Sequence, residues 1–364
     1  MARGFISLGV GLLVSVVAAT HAAEPALYPI QQGGKTGLMD KTGKVIVRPQ
    51  FDSIREFHEG LAVAAIGGKE GYIDATGKVV IDLQYPNAWN FSQGLAPVYV
   101  GGGKKWGYID TAGKMVIAPT WDSAEEFSEG LAGVRNDAGK RGYIDKTGKQ
   151  VVPLIYQEAD HFSGGLARVK ADDRWGYIDT AGKAVIKPQY DDADRFDQGM
   201  ALVRVGDKKS AIDPTGKILF TFDSIDDFHD GVALTGQAFK YGYIDRKGKW
   251  VIEPKFGLNM GPFSEGLASM RGDDAREGCI DKTGKLVIAL QFSSVGPFHD
   301  GIAPAQTGSL KDGPWGYIDK TGKWVIEPKF TEAFPFDDGI ALVYIDGKSG
   351  YVNTSGKYVW EPSK

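Results

Sequence analysis

The chain has 364 residues, with 42 Lys plus Arg against 46 Asp plus Glu, a net charge of −4 and no basic tract. That balance argues against nucleic acid as a partner. Hydrophobic residues at 42% and aromatics at 11% exclude a disordered chain, and 50 Gly point to many tight turns.

Residues 1–23 read as a signal peptide. Arg3 supplies the positive start, the run from Phe5 to Val17 is short for a bilayer, and Thr20 and Ala22 place cleavage after Ala22 or Ala23. A retained membrane anchor is the alternative, but polar Glu24 and Pro25 follow at once. The expectation is a periplasmic or secreted protein with no transmembrane segment after cleavage. Loss of Arg3 leaves 41 cationic against 46 anionic residues, a net of −5. Cys279 is the single cysteine, so no intramolecular disulfide can form. It stands where other units carry Tyr72, Tyr108 and Tyr143, which predicts a packed thiol.

From residue 24 to residue 364 the sequence repeats about every 35 residues, and it reads as one uninterrupted array of ten units. Each unit holds a Gly-Tyr-Ile-Asp-like stretch, opening at Gly37, Gly71, Gly107, Gly142, Gly176, Ser210, Gly242, Gly278, Gly316 and Gly350. Three residues later stands Asp, or Asn353 in the tenth unit, and three further on a Gly-Lys pair. The alternation predicts a half-buried strand, the Asp an Asx-type turn, and the Gly a positive φ in a three- to five-residue hairpin loop. A second strand of β-branched residues follows, and Pro49, Pro119, Pro153, Pro188, Pro254, Pro328 and Pro362 are expected to end it.

Next comes a short outer strand or crossing segment, as in Tyr190-Asp191-Asp192-Ala193. A corner then runs from Phe to Gly (Phe57 to Gly60 in the first copy, Phe336 to Gly339 in the ninth), and an aliphatic-Ala strand follows that is expected to be innermost. No helix is predicted. One unit cannot bury both its faces, so neighbours must stack. The fold class is therefore all-β, with propeller-like blades in a large ring or an open superhelix, and a β-solenoid as the alternative.

These motifs resemble the WG-repeat family. Trp175-Gly176-Tyr177-Ile178-Asp179, Trp106-Gly107 and Trp315-Gly316 carry the naming dipeptide, and Phe127-Ser128-Glu129-Gly130-Leu131-Ala132 carries the corner. The tryptophan is replaced in seven units, by Thr36, Glu70, Arg141, Lys209, Tyr241, Glu277 and Ser349. The resemblance implies a repeat array and supplies no catalytic residue.

The candidate chemistry divides into several sets. The turn aspartates offer one carboxylate per loop beside a Lys, which suits turn capping better than calcium. Asp191, Asp192, Asp194 and Asp197 cluster around a corner without a calcium-loop pattern and read as a solvated face. The lysines after each turn read as part of a mixed-charge row rather than a basic stripe. His58, His229 and His299 share one slot in separate units and His161 precedes its Phe, so all four read as surface turn residues rather than zinc ligands. Trp89, Trp121, Trp250, Trp324 and Trp360 read as core, or as a stacking surface if several share a groove.

No catalytic triad, HExxH, CxxC or phosphate-binding loop occurs. No catalytic or metal-binding residue and no cofactor is therefore expected, and any ligand-binding residues stay unassigned. Uniqueness is expected in the irregular segments 101–103, 272–276 and 307–313. The functional expectation is an exported, non-enzymatic binding or scaffold module for a protein or polysaccharide of the cell envelope. The alternative is a propeller-type hydrolase or lyase acting on an envelope polymer, with acids such as Glu158 or Asp273. An enzyme would gather unlike acids and His in one pocket, whereas a module would spread its variation over a face.

Overall fold

The computed structural model describes residues 26–103, 105–237, 239–257 and 260–363; the expected signal peptide lies outside them. The described residues contain strands and turns but no helix, hence none long and apolar enough to cross a membrane. The strands form ten small antiparallel sheets, the blades of a β-propeller arrangement. We number the blades in chain order: blade 1 (28–51), 2 (53–85), 3 (87–121), 4 (123–156), 5 (158–190), 6 (192–222), 7 (224–256), 8 (267–292), 9 (294–330) and 10 (332–363).

Blade 5 shows the plan. Its first strand, Glu158–Ala159, pairs with the second, Leu166–Ala171, which pairs with the third, Arg174–Asp179, and that with the fourth, Ala184–Tyr190. The Ala-bearing strand is therefore not an innermost edge, as its small residues suggested. It lies inside the sheet, flanked by the third strand and by the crossing segment.

The predicted hairpin turn holds in all ten blades. In blade 4, Asp145 Oδ1 accepts from the Thr147 and Lys149 amides and from the Thr147 hydroxyl, which fixes the loop through one carboxylate. The turn glycines have φ between +75° and +87°. A Cβ on each would touch the fourth strand of the preceding blade: Gly113 meets Ile81, Gly148 meets Ile117, Gly182 meets Val152. Gly43 of blade 1 meets Val359 of blade 10 in the same manner, so the series returns on itself. Lys41 pairs with Asp338 at 3.0 Å, the Tyr351 hydroxyl donates to the Pro29 carbonyl at 3.1 Å, and Ile30, Met39, Ile340 and Tyr351 form a common core across this seam. The array is a closed ring rather than an open superhelix or a solenoid.

Blade-to-blade packing rests on one buried residue per repeat, a tyrosine in seven blades and Leu38, Ala211 and Cys279 in blades 1, 6 and 8. Tyr72, Tyr108, Tyr143, Tyr177, Tyr243 and Tyr317 are fully buried, and each packs on the corner Phe of the next blade. Each hydroxyl donates to a backbone carbonyl just before that Phe, at 2.5–2.8 Å. Buried Tyr thereby brings a large apolar area and satisfies its own polar end. Cys279 fills the slot in blade 8, where burial pushes its thiol up to about 12.

One expectation fails in the fourth strand. The prolines do not end it; Pro188 lies inside Ala184–Tyr190, and the other six lie inside the corresponding strands. There the register jumps: Tyr177 faces Ile186 while Trp175 faces Tyr190. This bulge carries the Pro, whose missing N–H suits an unpaired edge. It also explains the glycine opposite. A Cβ on Gly176 would lie 2.5 Å from the Ile186 carbonyl oxygen and 2.6 Å from the Pro188 nitrogen.

The corner is a tight two-residue hairpin. Gln93 and Gly94 have φ of +56° and +85° between the paired Ser92 and Leu95, the signature of a type I′ turn. Corners of successive blades are tied together: the Gly94 amide donates to Glu59, Gly130 to Gln93, and Gly165 to Glu129.

Candidate binding groove

Just before the corner Phe of blades 2 to 10 lie two residues that are not repetitive. They are Arg55-Glu56, Trp89-Asn90, Glu125-Glu126, Asp160-His161, Asp194-Arg195 and Asp226-Asp227 in blades 2 to 7, and a residue followed by Pro in blades 8 to 10. Their backbone is held from behind. Tyr72 bonds the Trp89 carbonyl, Tyr108 the Glu125 carbonyl at 2.8 Å, and Tyr143 the Asp160 carbonyl at 2.5 Å. The rigid repeat thus presents unlike side chains from equivalent points.

On blades 3 to 6 these side chains line a groove of about 640 Å³. Trp89, Trp106 and Ser92 form one end, Glu125, Glu126, Ser128 and Arg141 the middle, and Asp160, His161 and Arg195 the other end. Trp89 is 46% exposed, its ring 6.4 Å from Trp106 and tilted by 39°, and Trp106 lies 5.5 Å from Tyr99. The Arg55 guanidinium sits 5.9 Å from the Trp89 ring.

The charged groups are paired. Arg141 bridges Glu125 at 2.9 Å and Glu158 at 3.1 Å. Burial raises the Glu125 carboxyl above its ordinary range against the pull of Arg141. Gly133 leaves the space that Glu125 occupies, since a Cβ there would lie 2.8 Å from Glu125 Oε2. Burial would also raise Asp160, but hydrogen bonds from Arg195 and Arg168 outweigh it and hold the carboxyl below its ordinary value. Arg195 grips Asp160 with two bonds of 2.9 and 2.8 Å from the next blade. Burial and the neighbouring Arg195 lower His161, which keeps the imidazole neutral at pH 7.

Of the five tryptophans singled out from sequence, Trp89 lines the groove. Trp121 stands opposite Trp106 in the sheet register, Trp250 packs edge-on to Phe222, Trp324 edge-on to Phe292, and Trp360 joins the seam core. His161 is a groove residue rather than a surface turn residue. His58, His229 and His299 stay apart at separate corners, and no group of three metal-ligating side chains occurs among the described residues. Glu158 reaches the groove through Arg141, whereas Asp273 is exposed in a turn of blade 8.

The aspartate cluster lies on a solvated face, where three of its four members pair with separate surface cations. Asp191 pairs with Arg174, Asp194 with Lys209 and Asp197 with Arg246, while Asp192 caps the Ala193 amide. The groove does not arise from the irregular segments 101–103, 272–276 or 307–313. It arises from the non-repeating pair before the corner, which no single-copy motif reveals but a column-by-column reading of the units does.

Among the described residues, a closed ring of ten blades, eight with four strands and two with three, bearing a mixed aromatic and charged groove, defines a repeat protein of the β-propeller class. The WG-containing repeat matches residues 37–69, 71–103, 106–140, 142–175, 175–208, 241–271, 278–310 and 315–348, more than half of the chain. The chain belongs to the WG-repeat family. The unmatched stretch between residues 208 and 241 begins with the blade whose opening residue is Ser210.

No curated protein matches the chain. Among solved structures it is similar to BamB from Moraxella catarrhalis, at 12% identity and a TM-score of 0.35 over 77% of this chain and 92% of that one. It is also similar to Hsv2p of Kluyveromyces lactis, at 10% identity and a TM-score of 0.34 over 52% and 71%. A third is the tricorn protease, at 14% identity and a TM-score of 0.26 over 92% and 39%. Likenesses this loose carry no functional information.

Proposed function

We propose that the chain is an exported, non-enzymatic binding or scaffold module that holds a protein or glycan of the cell envelope in the groove of blades 3 to 6. The observation that carries this reading is the exposed Trp89 in an open groove whose acids Glu125 and Asp160 are tied to arginines rather than left free to react. Pre-formed clefts of this size with a few converging polar groups are the usual form of ligand sites. Export rests on the amino-terminal sequence pattern.

The test is to incubate the purified protein and its Trp89→Ala variant with an envelope extract, recording retained components and altered products. Retention by the wild type, lost in the variant, without turnover supports the module. Equal retention by both forms contradicts it.

The second reading, a hydrolase or lyase, is favoured by the gathering of unlike acids and His161 in one groove, the arrangement expected of an enzyme. Glu125 and Asp160 sit in the same groove with their acidities pushed in opposite directions, as in acid and base pairs. Against it, both Asp160 oxygens are occupied by arginines, which leaves a poor base or nucleophile. Reproducible product formation abolished by Glu125→Gln would establish the enzyme instead.

A further inference from the structure

We infer that the groove ligand is a neutral, hydroxyl-rich oligosaccharide that stacks on Trp89 and Trp106. This deepens the binding reading above and rests on it. Three observations point to this class.

Blade 3 is unlike the others in the row where its four strands face one another. Asn87, Tyr99, Trp106 and Trp121 stand side by side in register and share one face of the sheet. The matching row of blade 4 reads Ser123, Arg135, Arg141 and Tyr156. With Trp89 tilted over Trp106, blade 3 presents two adjacent indoles to the groove, and Tyr99 packs against Trp106 beside them. The apolar C–H face of a pyranose complements the electron-rich face of an indole, and 46% exposure leaves Trp89 available for that contact.

The polar groups beside the indoles suit hydroxyls. Ser92, Glu126 and Ser128 line the groove close to Trp89 and Trp106. Glu126 already receives the Asn90 amide and keeps further acceptor capacity. Sugar hydroxyls, which both donate and accept, can use the serine hydroxyls, the carboxylates and the arginine N–H groups of the lining together.

The charge in the groove is nearly compensated. Glu125 is paired with Arg141, Asp160 with Arg168 and Arg195, and His161 is held neutral. With Glu126 included, the lining carries three carboxylates against Arg141 and Arg195, so a polyanion meets no net positive charge and a polycation a single net negative one, too little to repay its desolvation. A peptide added as an extra strand is disfavoured because the blade 3 edge here is Asn87–Ala88, two residues long.

The test titrates the purified protein with cello-, malto-, manno- and chitohexaose, and in parallel with hexagalacturonate and a random peptide pool. Tryptophan fluorescence and calorimetry are the readouts. At least one neutral hexasaccharide is expected to give saturable binding that falls at least tenfold in Trp89→Ala and is largely kept in Trp89→Phe. Circular dichroism and the melting temperature check that the variants are folded. Failure of every neutral hexasaccharide overturns the proposal, as does binding that survives Trp89→Ala. If galacturonate or peptides bind through Trp89 while the neutral sugars do not, the glycan assignment falls and the binding module stands. If envelope components are also retained without need of Trp89, both fall.

Discussion

The glycine of the Gly-Tyr-Ile-Asp stretch, which lies inside the hairpin strand, is explained by a bulge in its partner, and one blade tests this in advance. In blade 6 the glycine is Ser210, and there the fourth strand is Ile218–Phe222, two residues shorter than Ala184–Tyr190 and without proline. Lys209, Ser210 and Ala211 face Phe222, Thr221 and Phe220 in regular steps, and the Ser210 hydroxyl meets the Thr221 hydroxyl at 2.7 Å. Without the bulge there is room for a side chain.

Gly176→Ser alone is therefore expected to force its Cβ against the Ile186 carbonyl and the Pro188 nitrogen. Overpacking of this kind costs about 1–3 kcal/mol. An unfolding entropy of about 2.1 cal/mol/K per residue over roughly 340 residues converts this to a melting decrease of about 1–4 °C. Combining Gly176→Ser with deletion of Lys187 and Pro188 recreates the blade 6 arrangement and should restore most of the loss. Urea midpoints of the wild type, the single variants and the combined variant form the cycle. Ser210→Gly is the control, with a cost of about 0.5–1 kcal/mol from strand glycine alone. A neutral Gly176→Ser, or a combined variant no better than the sum of its parts, refutes the reasoning.

Other expectations follow from the same contacts. Tyr143→Phe removes the donor to the Asp160 carbonyl and should cost about 1–2 kcal/mol in urea unfolding while weakening ligand retention, because it releases the backbone under the groove. The turn aspartates Asp74, Asp145 and Asp319 are held below their ordinary value of 3.8 by hydrogen bonds, first from a Thr hydroxyl and then from amides. Their folded acidity is lowered, so their contribution is present above pH 3.8 and is lost as pH falls through the lower folded values. Asn353 makes the same turn without titrating, so Asp→Asn at these three positions should keep the fold and flatten the acid limb of a stability–pH profile. Glu125 has the opposite sign: burial raises it, so wild-type stability falls as pH rises through the ordinary Glu value of 4.5. Glu125→Gln should reduce that fall, measured as urea midpoints from pH 3 to 7.

Much of the fold is legible in the sequence because local chemistry and tertiary role coincide. Asp145 and Gly148 specify a turn that needs no knowledge of neighbours, and that turn recurs as read. The Ala strand was misplaced because small residues signal close packing without saying on which side. The prolines were misplaced because a bulge inside an edge strand and a strand end make the same demand on an N–H. Closure depends on Gly43 meeting Val359 across nearly the whole chain, which no local pattern records. Trp89 and His161 were visible as residues, but their meeting depends on stacking unlike positions of successive blades. The bland reading suited Trp250 and Trp324, which pack between blades, and missed the groove because its residues are the ones that do not repeat.

The central claim is that the ring meets its ligand through the groove of blades 3 to 6. Hydrogen exchange on the purified protein, with and without the envelope fraction it retains, tests this most directly. Added protection confined to residues 89–92, 123–128 and 158–161 is the predicted result. Protection spread evenly around the ten blades, or centred on the seam between blades 1 and 10, would contradict it.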